Sequence, residues 1–157
     1  MCIRDRSMHV LRAEKGFIIV GQDTDGSVTP KDINMDWIVS KKKEDFLGKR
    51  SFSRSDTRRT DRKQLVGLLV NDKKTVLPEG SYVVDVAKPR PPMDMIGHVS
   101  SSYYSPTCDH PIALALIKNG LNRMGDVVKV PLMSGKVIEA TITDSIFYDK
   151  EGVRNNE

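Results

Sequence analysis

Residues 11–26, LRAEKGFIIVGQDTDG, set an ionisable pair, Glu14-Lys15, directly before a glycine and four apolar residues. A carboxylate in that place either caps something or holds something. On its own residues, Glu14 reads as a surface glutamate at a strand start, or as one ion-paired with Arg12 or Lys15. DTDG at 23–26 invites a calcium loop, but an EF-hand needs glycine at its sixth place and glutamate at its twelfth. Here the glycine is fourth and the twelfth residue is Asn34, so a turn is the better reading.

Other reactive groups are scattered. Cys2 and Cys108 form no CxxC, and His9, His98 and His110 do not fall at metal-ligand spacing, which argues against a zinc site. Gly16, Gly21 and Gly26 make no GxGxxG, and neither a GxxxxGK[ST] loop nor a GxSxG elbow occurs. The hydroxyls of SSSYYSP at 100–106 have no base nearby in sequence, so this stretch reads as a strand end and turn.

A chain of 157 residues suffices for one domain, or for one small domain plus a piece of another. With 38% hydrophobic and 29% charged residues the composition is that of a globular protein. No run is long and apolar enough to span a membrane, and no signal peptide is visible, so the expected location is the cytoplasm. The net charge of +4 is uneven: residues 41–63 hold ten Lys/Arg against four Asp/Glu, a net +6. That stretch is either a solvated basic face, an anion or partner site, or a nucleic-acid patch. Sparse aromatic interleaving speaks against the last.

The elements that must carry these groups fall into two textures. MCIRDRS, residues 1–7, fits nothing that follows and reads as a non-native leader. FIIV at 17–20, bounded by glycines, predicts a short buried strand. TPKDINMDWIV predicts a short helix with Thr29 as N-cap and Pro30 in its first position. EDFLGKRSF predicts another helical turn with Phe46 and Leu47 facing inward, and 51–63 a polar connector. Beyond it six strand-like runs recur, at 65–70, 81–86, 95–102, 112–117, 127–131 and 137–143. Turn residues separate them, including the prolines of 89–92, with no room for helices. That pattern predicts an antiparallel sandwich or barrel, followed by a tail at 151–157.

Several stretches in order carry a resemblance: LRAEKG, GQDTDG followed by TP, Trp37, KKKEDFLGKRS, DRKQLVGLL, MIGHVSSSYYSPT, IALALI and FYD. Together, from Leu11 to Asp149, they resemble the aminomethyltransferase (glycine-cleavage T-protein) family. KKKEDFLGKRS and DRKQLVGLL favour its heterotetrameric sarcosine oxidase alpha-subunit branch.

The resemblance implies an α+β architecture. Residues 8–63 would be the C-terminal part of a folate-binding α/β domain, and 64–150 a six-stranded antiparallel β-barrel. It implies that Glu14 binds the pterin edge of tetrahydrofolate, whose ring offers two parallel N–H donors that suit a carboxylate. Counting along the motif brings a second folate contact to Lys43, with Lys41 and Lys42 its immediate neighbours. Tyr148 of FYD either reaches that pocket or packs the barrel. Nothing in this chain stands for the family's catalytic aspartate. The parent complex would bind NAD, FAD and FMN outside this region, and its partners would be beta, gamma and delta subunits. A free aminomethyltransferase or a dimethylglycine dehydrogenase-like protein is the alternative parent.

Overall fold

A computed structural model describes residues 3–88 and 92–155. Six strands dominate it: β1 (Lys63–Val70), β2 (Tyr82–Val84), β3 (Met95–Ser105), β4 (His110–Lys118), β5 (Val127–Pro131) and β6 (Val137–Thr143). All neighbours are antiparallel, and the order β1-β4-β3-β2-β5-β6 closes into a barrel through β6 on β1. The six runs expected from the sequence are these six strands. The β5 and β6 limits coincide with expectation, whereas β2 is shorter, Tyr82–Val84, and carries a register shift on β3 between Val83 and Val84. IALALI, helical by propensity alone, is the middle of β4.

Alternation decides which side chains fill the barrel. On β5 and β6, Val128, Val130, Ile138, Ala140 and Ile142 point inward while their neighbours stay half-buried or exposed. Strands β1 and β4 are buried on both faces. Val66, Leu68, Ala113, Ala115 and Ile117 join the inner core. Leu65, Leu114 and Leu116 lie outside it and are covered by Ile18, Val28, Ile33 and Phe147. The segment before β1 and Phe147 after β6 therefore cover one outer flank together, and hydrophobic burial holds them there.

Helix α1 (Ile3–Glu14) begins that segment and rests on β3 and β4. From Ile3 onward the expected leader continues straight into this helix; residues 1 and 2, including Cys2, lie outside the described residues.

FIIV is not a strand. Val20 makes only an isolated bridge with Thr24, and Phe17 and Val20 are 62% and 84% exposed. A strand needs a free sheet edge to pair with, and a closed barrel leaves none. Ile18 instead packs on the outer face of β1 and β4.

The helix expected from Thr29 also shortens, to 3-10 turns at Pro30–Ile33 and Asp36–Ile38. Its start is as expected, with the Thr29 N–H and hydroxyl both donating to Asp32 at 2.8 and 2.7 Å. Asn34, at φ 61°, breaks it after one turn. A 3-10 turn at Lys49–Ser53 follows Gly48, but Leu47 is fully exposed rather than turned inward; Phe46 is half-buried.

The connector holds an anchor as well as a solvated face. Arg62 binds Asp32 through Nε and Nη2 and Asp56 through Nη1, at 2.7–3.0 Å. Burial pushes the Asp32 carboxyl up, yet Arg62 and the Thr29 bonds more than offset this and leave it below the usual range. Residues 89–91 of the proline cluster and residues 156–157 of the tail lie outside the described residues. Among the described residues, no helix is long and apolar enough to cross a membrane, and no His, Cys, Asp and Glu cluster is placed to hold a metal.

Candidate functional site

Glu14 is the last residue of α1, not the first of a strand. Its side chain folds onto the end of β3 and is 2% exposed. There the buried Ser105 hydroxyl donates to Oε1 at 2.5 Å. Ser105 Oγ in turn accepts the Cys108 N–H at 3.0 Å, so the β3–β4 turn sets the hydroxyl's direction. Oε2 has no hydrogen bond to any described residue.

No cation pairs with this carboxyl among the described residues. Arg12 and Lys15, the partners expected from the sequence, both turn elsewhere. The setting is adverse, because a helix C-terminus carries partial negative charge that disfavours a second negative group. Held by one hydroxyl, this buried carboxyl keeps capacity to accept further hydrogen bonds.

The main chain of Glu14 is tied as firmly. Its carbonyl accepts the N–H groups of Phe147 and Tyr148 at 2.9 and 3.1 Å. Beside it Gly16 adopts φ 70°, where a Cβ would lie 2.7 Å from the Ser145 carbonyl oxygen. Only glycine lets the two segments close this tightly. LRAEKG and FYD, far apart in sequence, thus form one clasp. Tyr148 lies in it half-buried, its ring 5.3 Å from the Arg154 guanidinium carbon.

A second clasp fixes the other side of α1. Asp23, fully buried, accepts from Ser100 and Ser101 hydroxyls through Oδ1 at 2.5 and 2.7 Å. Through Oδ2 it accepts from Arg12 Nη1 and the Ile19 N–H at 2.7 and 2.8 Å. Arg12 Nη2 reaches on to Ser101 and Tyr103. Burial raises the Asp23 carboxyl's affinity for a proton, but these donors and the Arg12 charge outweigh it and hold the group below its ordinary value. DTDG is therefore a turn whose first aspartate faces the barrel, and the hydroxyls of SSSYYSP bind that carboxylate.

Lys43 lies elsewhere. It lines an open cavity of about 700 Å³ between the 26–30, 38–48 and 51–57 segments, together with Arg54, Phe46 and Phe52. Glu14 is not among that cavity's lining residues. The structure therefore seats Glu14 with Ser105 and the Tyr148 backbone, and does not bring Lys43 into the same pocket. Ser105 was invisible as a partner in the sequence, since nothing local couples it to a glutamate 91 residues away. The only sequence signal was a serine ending a strand beside a turn.

Relatives of known kind agree with this architecture. The sarcosine oxidase subunit alpha of Corynebacterium sp. (strain U-96) is 51% identical over 152 residues, covering 96% of this chain and 16% of that subunit. The aminomethyltransferase of Thermotoga petrophila is 31% identical over 139 residues, covering 88% of this chain and 35% of that enzyme. The chain thus spans a minor part of the relatives it matches. The crystal structure of glycine cleavage system aminomethyltransferase T from Bartonella henselae superposes with a TM-score of 0.75 at 26% identity. It covers 90% of this chain and 38% of that one. The family model of the glycine cleavage T-protein C-terminal barrel domain matches residues 63–149. Since that match runs from the first residue of β1 past the last of β6, the chain belongs to the glycine cleavage T-protein C-terminal barrel family.

Proposed function

We propose that this chain is the C-terminal part of a sarcosine oxidase alpha subunit and that it forms one wall of a tetrahydrofolate site. The 51% identity to such a subunit supports the branch, against 31% to an aminomethyltransferase. The observation that carries the site is the Glu14 carboxyl, buried, fixed by Ser105 and free of a cationic partner among the described residues.

The residues present suit the pterin end of the cofactor. A 2-amino-4-oxopyrimidine edge presents two parallel N–H donors, and a carboxylate accepts both in one plane. Ser105 limits the carboxyl to one orientation, and the Phe147 and Tyr148 N–H groups hold the backbone beneath it. Preorganisation of this kind spares ordering cost on binding. Lys43, in its own cavity with Arg54, suits the anionic glutamate tail as a mobile point charge. Bound tetrahydrofolate supplies the amines that take up the one-carbon unit released when sarcosine is oxidised to glycine. This chain's part is positioning: holding the ring raises effective molarity.

On this reading the oxidation itself, with NAD, FAD and FMN, belongs to other parts of a cytoplasmic complex with beta, gamma and delta subunits. The nucleic-acid alternative has less to stand on, because Arg59 and Arg62 of the basic stretch are already bound to aspartates.

The test is Glu14→Gln in the intact polypeptide with tetrahydrofolate titrated by calorimetry. Affinity should fall by about 2–3 kcal/mol, the worth of a charged hydrogen-bonded contact, while sarcosine oxidation persists. Unchanged affinity overturns the assignment.

A further inference from the structure

Lys63 opens β1 and Lys118 closes β4, and the register sets them directly opposite each other. Like charges facing across a strand pair repel, so this placement weakens the sheet unless something neutralises it. Both lysines line a cavity of about 240 Å³ on the barrel flank, and His98 of β3 lines it with them. The cavity is smaller than the roughly 300–1,000 Å³ of sites for drug-sized ligands. It has room for a small ion with a few waters.

Three carboxylates, Asp25, Asp56 and Asp61, line this cavity as well, and Asp61 lies close enough to Lys118 for their charges to attract. Arg59 holds Asp61 through two bonds at 2.6 and 2.8 Å. Arg62 holds Asp56, and Asp32 beyond the cavity. The Asp25 carboxylate accepts both the N–H and the hydroxyl of Ser27. Lys63 and Lys118 make no ion pair among the described residues, and His98 makes no hydrogen bond there. Burial first, and then the Lys63 charge, push the His98 imidazole below its usual value, with Asp25 pulling the other way. A neutral imidazole still donates one N–H.

We propose that Lys63, Lys118 and His98 form a binding site for a small tetrahedral oxyanion, either free phosphate or the phosphate of an ester. Two ammonium groups and an imidazole N–H supply charge-assisted donors from three adjacent positions of the barrel wall. Neutralising the opposed lysines adds to the favourable energy of binding. The site is independent of Glu14 and of the folate reading.

The experiment follows the His98 ring protons by NMR while inorganic phosphate replaces chloride at constant ionic strength, with glycerol phosphate in a parallel arm. Saturable shifts at His98 with either probe support the site, and the tighter probe names the source. The Lys63→Gln/Lys118→Gln chain should bind at least about tenfold more weakly, the equivalent of one lost charged hydrogen bond. Lys118→Met alone, at an exposed strand end, serves if the double variant does not fold, and should also weaken binding. No saturable shift with either probe overturns the proposal, as does undiminished binding by the lysine variants.

Discussion

Lys15 spans 134 residues of sequence to reach Asp149, its Nζ 2.9 Å from Oδ2 and 2.7 Å from the main-chain carbonyl. Together with the Glu14 carbonyl bonds to Phe147 and Tyr148, this ion pair ties the end of α1 to the segment that leaves the barrel after β6. The Glu14 carboxyl stands between its two flanking cations, yet both serve other carboxylates. That leaves Glu14 to Ser105.

The Lys15 bond, more than any other influence, holds the Asp149 carboxyl below its ordinary value of 3.8. A carboxyl lowered on folding adds stability above its unfolded pKa, and loses that contribution as pH falls through the folded one. Lys15→Met should therefore return the Asp149 titration toward 3.8, seen by carboxyl-carbon NMR. An unmoved titration would mean the pair is not formed.

Asp23→Asn should be costly. It keeps the shape but offers an NH₂ where Arg12 or the serine hydroxyls donate, and it leaves the Arg12 guanidinium, 11% exposed, without its counter-charge. Breaking a buried pair of this kind costs about 3–5 kcal/mol. Denaturant unfolding would read it as a lower midpoint at neutral pH. Because the Asp23 carboxyl is also lowered, the gap between the two proteins should narrow as pH falls below 3.8. A loss under about 1 kcal/mol would be too small for a buried pair of this kind.

Gly97→Ala probes the barrel seam. A Cβ at position 97 on β3 would run into the Leu116 carbonyl oxygen and lie 2.9 Å from the Ile117 Cα of β4. Both are backbone, so the strands must part. The expected loss is about 2–3 kcal/mol by overpacking, read from thermal unfolding. Full stability would show that the seam yields without cost.

Ser105→Ala tests positioning. It strips Glu14 Oε1 of its donor and the Cys108 N–H of its acceptor. Stability should fall by about 2 kcal/mol for the groups left unmet. If Glu14 meets the pterin, tetrahydrofolate affinity in the intact polypeptide falls as well, and Ser105→Thr restores part of it. Lost stability with unchanged affinity would make Ser105 structural only.

Much of the barrel was legible in the primary structure because its information is local. VVKVP and VIEATIT alternate with period two, and each is β5 or β6 residue for residue. Glycines and prolines mark the turns between strands. IALALI was legible by length: six residues make a poor helix but a good half of a strand buried on both faces.

What the chain could not reveal locally depends on partners distant in sequence. FIIV has every strand preference, yet closure of the barrel leaves no edge for it, so it becomes a cover with Ile18 on Leu65, Leu114 and Leu116. LRAEKG carried a carboxylate of interest, but the choice of Asp23 by Arg12 and of Asp149 by Lys15 was made by packing. Sequence alone thus determined the six strands, their turns and the family resemblance, since periodicity and turn chemistry act over a few residues. Tertiary structure alone decided that Glu14 is buried on Ser105 at a helix end, because hydrogen bonds are assigned only when the barrel brings remote donors within reach.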